Sequence, residues 1–401
     1  NCDLAIDDVC IQEQPIEPID WCNLQWPPNG SINIGDPFTA YAQVYEAGVT
    51  DSPGPGPGIN AYIGFSSTDT DPATWTDWVP ATYNLDVGNN DEWMADIGAA
   101  IPGPGTWYYA SRFNLNGAPD AYGGYPPGGG GFWDGVNNVS GVLTVSVPTF
   151  TWTGLIDSNW DDPGNWNPSG VPSELTAAII PGGAPNYPVL TGNLQINNTG
   201  GAYRCLSLWI QNGGQLEMFE GADLDSYGEL TIDAGGTLYC GDDFDMNAGA
   251  VLNMNGGMVV NNYDFGAFGD FYFKGGATIN LNGGSFEVYD WIDVYAGSIW
   301  NGSDVDIIVG GPNDLVDFYN DEPTFVFNNF LIRNSCSVQF EGFSAATFNL
   351  TGDFTVEPLA WVDINQVTNV GGNAYILSDA SGSGSLIDAA AFTVTGTSNV
   401  D

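Results

Sequence analysis

The side chains best placed for chemistry are carboxylates in close pairs: Asp69-Thr-Asp71, Asp161-Asp162, Asp223-Leu-Asp225, Asp242-Asp243 and Asp304-Val-Asp306. Two aspartates one residue apart point the same way on a strand, so 223/225 and 304/306 suit either a shared ion or plain surface alternation. Calcium is the ion this chemistry favours, because it takes carboxylate and carbonyl oxygens and the chain is rich in both. No pair completes an EF-hand spacing, and the nonapeptide repeat of calcium-loaded rolls is absent. Asp69, Asp71, Asp223, Asp225, Asp242, Asp243, Asp304 and Asp306 are therefore the candidate calcium ligands. Asp242, Asp243 and Asp245 also present the carboxylates that inverting glycoside hydrolysis needs, at a separation of about 6.5–9.5 Å. Gly-Asp-Asp reads more simply as a turn with solvated acids, and no catalytic residue is assigned.

Aromatic residues offer a second chemistry. Tyr122, Tyr125, Phe132 and Trp133 sit in a Gly/Pro-rich loop, and Trp75 and Trp78 follow an acidic turn. Exposed aromatic faces stack on sugar rings, so Trp75, Trp78, Tyr122, Tyr125 and Trp133 are candidate contacts to a neutral glycan. The plainer reading is that the loop folds back and plugs one end of its domain. Six cysteines supply a third chemistry. Cys2, Cys10 and Cys22 lack the C-x-x-C spacing and histidine of zinc sites, so disulfides fit better. One pair within that trio and one between Cys205 and Cys240 are expected; buried free thiols are the alternative.

Charge limits what else is possible. Asp and Glu number 49 against 4 Lys and Arg, a formal net charge of -45 with no histidine. Arg112, Arg204, Lys274 and Arg333 are the whole cationic inventory. Nucleic acids and anionic membranes need Lys and Arg to replace counterions, so neither is a direct partner. Without histidine, Ser-His-Asp and Cys-His catalysis and imidazole metal sites are excluded. Lyases acting on uronates need cationic groups that are scarce here. No apolar run approaches the roughly 20 residues of a membrane helix, and residue 1 opens no signal peptide, which predicts an exported, processed chain or a segment of a longer one.

The elements that must position these groups are strands. With 55 Gly, 25 Pro and many aromatics, the chain has few helix formers and an all-β composition. Residues 1–20 read as an extension or linker. Residues 21–148 carry strand signals at Phe38–Glu46, Ile59–Ser66, Glu92–Ile97, Thr106–Asn114 and Gly141–Val147, divided by turn clusters, which predicts an immunoglobulin-like β-sandwich. From 149 to 401 the pattern changes. Gly-Gly pairs recur at 213/214, 235/236 and 256/257, followed by Gln215-Leu-Glu-Met218, Thr237-Leu-Tyr-Cys240 and Met258-Val-Val260. A period of about 21 residues built from very short strands is the signature of a β-solenoid, here about ten coils and about 50 Å. Leu216, Met218, Leu230, Ile232, Leu238, Phe244 and Met246 are expected inside, with Glu217, Thr231 and Asp245 outside. A second sandwich after about residue 310 is the competing arrangement.

Two stretches carry a resemblance. The landmarks Trp21-Cys-Asn-Leu-Gln-Trp-Pro-Pro28, Tyr41-Ala-Gln-Val-Tyr-Glu46, Asp91-Glu-Trp93, Tyr108-Tyr-Ala-Ser-Arg-Phe113 and Gly131-Phe-Trp-Asp-Gly135 resemble an accessory β-sandwich module of secreted and cell-surface proteins of Bacteroidota. Trp152-Thr-Gly154, Asn165-Trp166 and Val171-Pro-Ser173 look like the start of β-solenoid regions in the same class. The resemblance implies export, by the type IX route of that phylum, and carries over no catalytic residue.

Together these readings predict a non-catalytic extracellular structural or adhesive protein. It would be a subunit of a surface fibre, filament or layer, self-assembling through its N-terminal extension or solenoid ends, with itself or other cell-surface proteins as partners. The alternative is a carbohydrate-binding protein, or the accessory region of a secreted polysaccharide-degrading enzyme, with neutral glycans as partners.

Overall fold

Apolar residues alternate with polar ones along nearly every extended segment, and the result is an all-β chain in two compact units, Asn1–Pro148 and Thr149–Asp401. The computed structural model describes residues 17–219, 221–261, 269–310, 315–321, 325–342, 347–377 and 386–400.

The first unit is a β-sandwich. One sheet runs Trp21–Trp26, Thr39–Tyr45, Asn90–Asp96 and Thr82–Val87. The other is centred on Gly105–Leu115, which pairs with Ile59–Ser66, Ala121–Gly124 and Gly141–Ser146. Pairing is antiparallel apart from Asn29–Asn33, which lies parallel to Gly141–Ser146. Ala40, Ala42 and Val44 of the first sheet and Ile63, Phe65, Tyr109, Phe113 and Leu143 of the second are buried in one core. The Pro-Gly loop at 53–58 is held from inside: buried Asp91 accepts from Gly56 N at 2.7 Å. Strands Trp21–Trp26, Asn29–Asn33, Asp77–Pro80, Thr82–Val87 and Ala121–Gly124 were not among those predicted. Their apolar residues are few or interrupted by Pro, Gly and Asn, which mutes the period-2 signal.

The second unit is a β-solenoid with three strands per coil. One coil is Ser207–Ile210, Gln215–Met218 and Leu224–Ser226, and the next is Glu229–Asp233, Thr237–Cys240 and Phe244–Met246. Equivalent strands stack in parallel in sheets of eight, ten and twelve strands, the eight-stranded one ending in an antiparallel pair, Thr149–Trp152 with Trp166–Asn167. Residues on adjacent rungs of the eight-stranded sheet lie 22 apart at Thr231–Asn253, 27 apart at Asn253–Asn280 and 21 apart at Asn280–Asn301. The step length varies from coil to coil, yet the register within the strands is kept.

Inside, like stacks on like. Leu208, Leu230, Leu252 and Ile279 form one ladder, and Leu216, Leu238, Val259 and Phe286 another. Leu216, Met218, Leu230, Ile232, Leu238, Phe244 and Met246 are fully buried, as their spacing predicts. Each such side chain contributes about 1.5–3 kcal/mol through burial. Past residue 310 the ten-stranded sheet continues unbroken through Phe330–Ile332, Phe354–Val356, Ala374–Ile376 and Ser398–Val400. The late segment is thus solenoid and not a second sandwich.

The first coil is covered by Trp152, Trp160 and Trp166, all buried and packed edge to face. Asn165 braces this cap, its Oδ1 accepting from the N–H groups of Ile156 and Asp157.

The cysteine reading needs correction. Cys205 and Cys240 are separate free thiols, both fully buried. Cys205 ends a strand beside Ile196 in the twelve-stranded sheet, whereas Cys240 ends a strand of the ten-stranded sheet. They occupy different faces and different coils, and each fills an apolar position, so burial pushes both thiols above their usual range, that of Cys240 to about 12. Cys22 and Cys336 are also buried free thiols, and Cys2 and Cys10 lie outside the described residues.

Candidate functional site: the outward faces

Because each strand sends alternate side chains outward and stacks in register, the solenoid turns sequence period into vertical ladders of surface groups. On the twelve-stranded sheet the ladder reads Gln195, Asp225, Asp245, Tyr272, Asp293 and Tyr319. Gln195 Nε2 donates to Asp225, and Lys274 Nζ meets Asp245 Oδ2 at 2.9 Å. Burial pushes the carboxyl of Asp245 up to about 6 despite that ammonium, with Asp225 adding repulsion. Asp293 is also raised to about 6, by burial and then by the charge of Asp270. At the corner leading into these strands, Asn193 pairs with Asp223, Asp270 N donates to Asp243 Oδ1, and Tyr272 Oη donates to Asp270 Oδ2 at 2.6 Å. Trp291 and Tyr295, both partly exposed, border a shallow depression with Asp293, Asp317 and Tyr319.

The eight-stranded sheet carries a different ladder: Ile179, Trp209, Thr231, Asn253, Asn280, Asn301. Its amides are linked edge to edge, Asn280 Nδ2 to Asn253 Oδ1 at 2.7 Å and Asn301 Nδ2 to Asn280 Oδ1 at 2.9 Å. Trp209 is 40% exposed, and its Nε1 donates to Asp233 Oδ2 at 2.7 Å. The indole stands in a groove lined also by Ile179, Ser207, Glu229, Thr231 and Asn253. Sequence reasoning missed Trp209. Its outward position follows from the alternation Ser207-Leu208-Trp209-Ile210, in which Leu208 and Ile210 are buried.

The proposed calcium ligands are mostly engaged with neighbours. Asp71 caps the short 3-10 turn Pro72–Thr74, accepting from Ala73 N at 3.0 Å, and Asp69 lies exposed just before it. Asp306 Oδ1 accepts from both Asn328 and Asn329, while Asp304 stands two residues away on the approach to that strand. Burial raises the Asp223 carboxyl above its usual range, and the nearby charge of Asp243 adds to that. Asp242 precedes Asp243 in the same turn. Among the described residues no group of three or more carboxylates or thiols converges as a metal site would.

In the sandwich, the structure brings Trp75, Trp78 and Tyr122 together and leaves Tyr125 apart from them. Ring centroids of Trp75 and Trp78 lie 6.1 Å apart, and those of Trp78 and Tyr122 5.7 Å. The Arg112 guanidinium sits 4.3 Å from the Tyr62 ring and 4.5 Å from that of Trp78, so this cluster is largely spent on internal packing. Trp133, its Nε1 donating to Ser140, joins Tyr122 and Phe132 around a depression flanked by Asp71 and Asp120. Tyr125 packs against the core, and the surrounding glycine-rich hairpin lies on the strand Trp21–Trp26, where a Cβ at Gly123 would fall 2.5 Å from the Asn23 backbone.

Comparison with known proteins touches parts of this architecture. Residues 151–264, the tryptophan cap and the early coils with Trp209, match a domain of unknown function, DUF8693. A stretch of 126 residues is 32% identical to an amylopullulanase of Thermoanaerobacter thermohydrosulfuricus, covering 26% of this chain. The chain spans 8% of the length of that relative, which it resembles over this limited region.

Proposed function

We propose that the chain is a non-catalytic structural and adhesive region of an exported cell-surface protein, with the solenoid acting as a rigid spacer. The observation that carries this reading is the unbroken parallel register of the ten-stranded sheet from Val189–Leu190 to Ser398–Val400. A continuous hydrogen-bonded stack over one apolar core resists bending and local opening. The carboxylates on the outer faces support it too: Asp225, Asp245 and Asp306 are engaged by amides or by Lys274. Negative-stain electron microscopy of the full chain tests the reading, with rods, alone or joined into filaments, as the expected particles. Turnover of a neutral polysaccharide that disappears in Asp242→Asn/Asp243→Asn would overturn it.

A second reading is favoured by the local similarity to an amylopullulanase, a glycoside hydrolase. On it, the chain is a carbohydrate-binding accessory region that positions a polysaccharide for chemistry carried out elsewhere in a longer protein. Binding of the full chain to neutral polysaccharides would support this reading, and binding to none would remove it.

A further inference from the structure

We infer that the groove around Trp209 on the eight-stranded sheet is a binding site for a neutral polysaccharide. The inference rests on the carbohydrate-binding reading and gives it a location.

Trp209 offers a flat apolar surface in a place where packing does not require one. Its neighbours on the same strand, Leu208 and Ile210, are buried in the solenoid core, whereas the indole is 40% exposed. Its orientation is fixed by the 2.7 Å hydrogen bond to Asp233, so the platform does not have to be ordered when a ligand arrives. Ile179 on the preceding rung extends the apolar surface to one side. Polar atoms begin on the next rung. Thr231 Oγ1 and Asn253 Nδ2 both approach Glu229 Oε1, at 3.3 and 2.9 Å. The site therefore places a stacking face next to fixed hydroxyl, amide and carboxylate groups within one groove.

That combination suits a sugar ring, which has an apolar face of C–H bonds and an equatorial rim of hydroxyls that both donate and accept. Charge decides among ligands. Glu229 lines the groove and Asp233 accepts from the indole N–H on a chain of net charge -45, which disfavours uronate-rich or sulfated chains. A neutral chain meets no such barrier, and its hydroxyls can donate to the carboxylates. Parallel stacking sets adjacent rungs about 4.8 Å apart, so a chain lying along the ladder would meet Thr231 and Asn253 in succession beyond the indole.

Affinity electrophoresis of the full chain in gels containing pullulan, amylopectin or xyloglucan tests the site. The wild-type protein should be retarded by at least one of them, and Trp209→Ala should lose that retardation by tenfold or more. Thr231→Val should weaken it several-fold, and Trp291→Ala, which removes an exposed indole on the twelve-stranded sheet, should leave it unchanged. Unchanged circular dichroism of each variant separates lost binding from lost fold. Retardation of wild type that persists in Trp209→Ala would overturn the site while leaving the carbohydrate-binding reading in place. Failure of the wild-type chain with all three polymers would overturn both, and retardation by polygalacturonate alone would overturn the neutral class.

Discussion

The indole rings of Trp160 and Trp166 meet edge to face with centroids 4.7 Å apart and planes at 77°, and Trp166 Nε1 donates to the Trp160 carbonyl at 2.8 Å. Trp152 approaches Trp166 from another side at 5.0 Å, closing the cap over the first coil. A solenoid end without such a cover exposes apolar side chains and strand edges. Trp166→Ala should therefore cost about 3–5 kcal/mol in urea unfolding. A loss under about 1 kcal/mol would show that the first coil does not depend on this cap.

Stability should rise as the solution is made mildly acidic. Asp245 and Asp293 have carboxyls raised by burial to about 6, above the ordinary value of 3.8. Between those values the folded state binds more protons than the unfolded one, so acidification from pH 7 toward 4.5 favours folding. Asp293→Asn removes one titrating group and should flatten this part of the profile, read as the thermal midpoint against pH. A midpoint that falls steadily over the same interval would contradict the assignment.

Cys205 and Cys240 should behave as protected thiols. Iodoacetamide should leave both unmodified in the native protein and alkylate both in guanidinium without reductant, as read by peptide mass spectrometry. A Cys205–Cys240 disulfide peptide in the unreduced digest would restore the pairing that the structure replaces.

Gly284 stands where the chain enters a strand of the ten-stranded sheet, with φ of +106° and space for no side chain: a Cβ would lie 2.0 Å from the Gly257 carbonyl oxygen on the rung below. Gly284→Ala should cost at least about 2 kcal/mol, because it combines backbone strain with a clash against another backbone. Gly249 also has positive φ but nothing within 4 Å of its Cβ position, so Gly249→Ala should cost less. Equal costs at the two positions would argue against the close rung contact.

Divalent ions should act on this protein mainly through its field. The Asp223, Asp225 and Asp306 carboxylates accept hydrogen bonds from amides, and the net charge of -45 leaves much repulsion to screen. Calcium and magnesium should raise the thermal midpoint equally at matched ionic strength. A calcium-selective increase reversed by chelation would instead identify a specific site among the paired aspartates.

Much of the fold was readable because burial enforces a period. Leu216, Met218, Leu230 and Ile232 announce their inward positions by strict alternation, and the glycine pairs at 213/214 and 235/236 mark one corner of each coil. The twelve-stranded sheet offers less signal: its strands, such as Leu224–Ser226 and Phe244–Met246, are three residues long and give only one full alternation, which still places Phe244 and Met246 inside. Corner excursions obscure the period as well, stretching the Asn193–Asp223 step to 30 residues. The site was least legible. Aromatic-rich loops drew attention to Trp75 and Trp78, which pack on each other, with Arg112 over the Trp78 ring. Trp209, a single aromatic among aliphatic neighbours, becomes conspicuous only when the rungs place it beside Thr231 and Asn253.

In-register stacking also makes length a quantised property of this protein. Leu208, Leu230 and Leu252 occupy the same position on successive rungs, so the segment between two of them is a complete, self-consistent turn of the structure. Gaining or losing such a segment by recombination would preserve every inward ladder and shift the reach of the molecule by one step of about 4.8 Å. Gaining or losing a single residue within a strand would turn its apolar side chains outward. Selection acting on such a sequence thus has two scales available, free variation at corners and whole-turn duplication, with little tolerated between them.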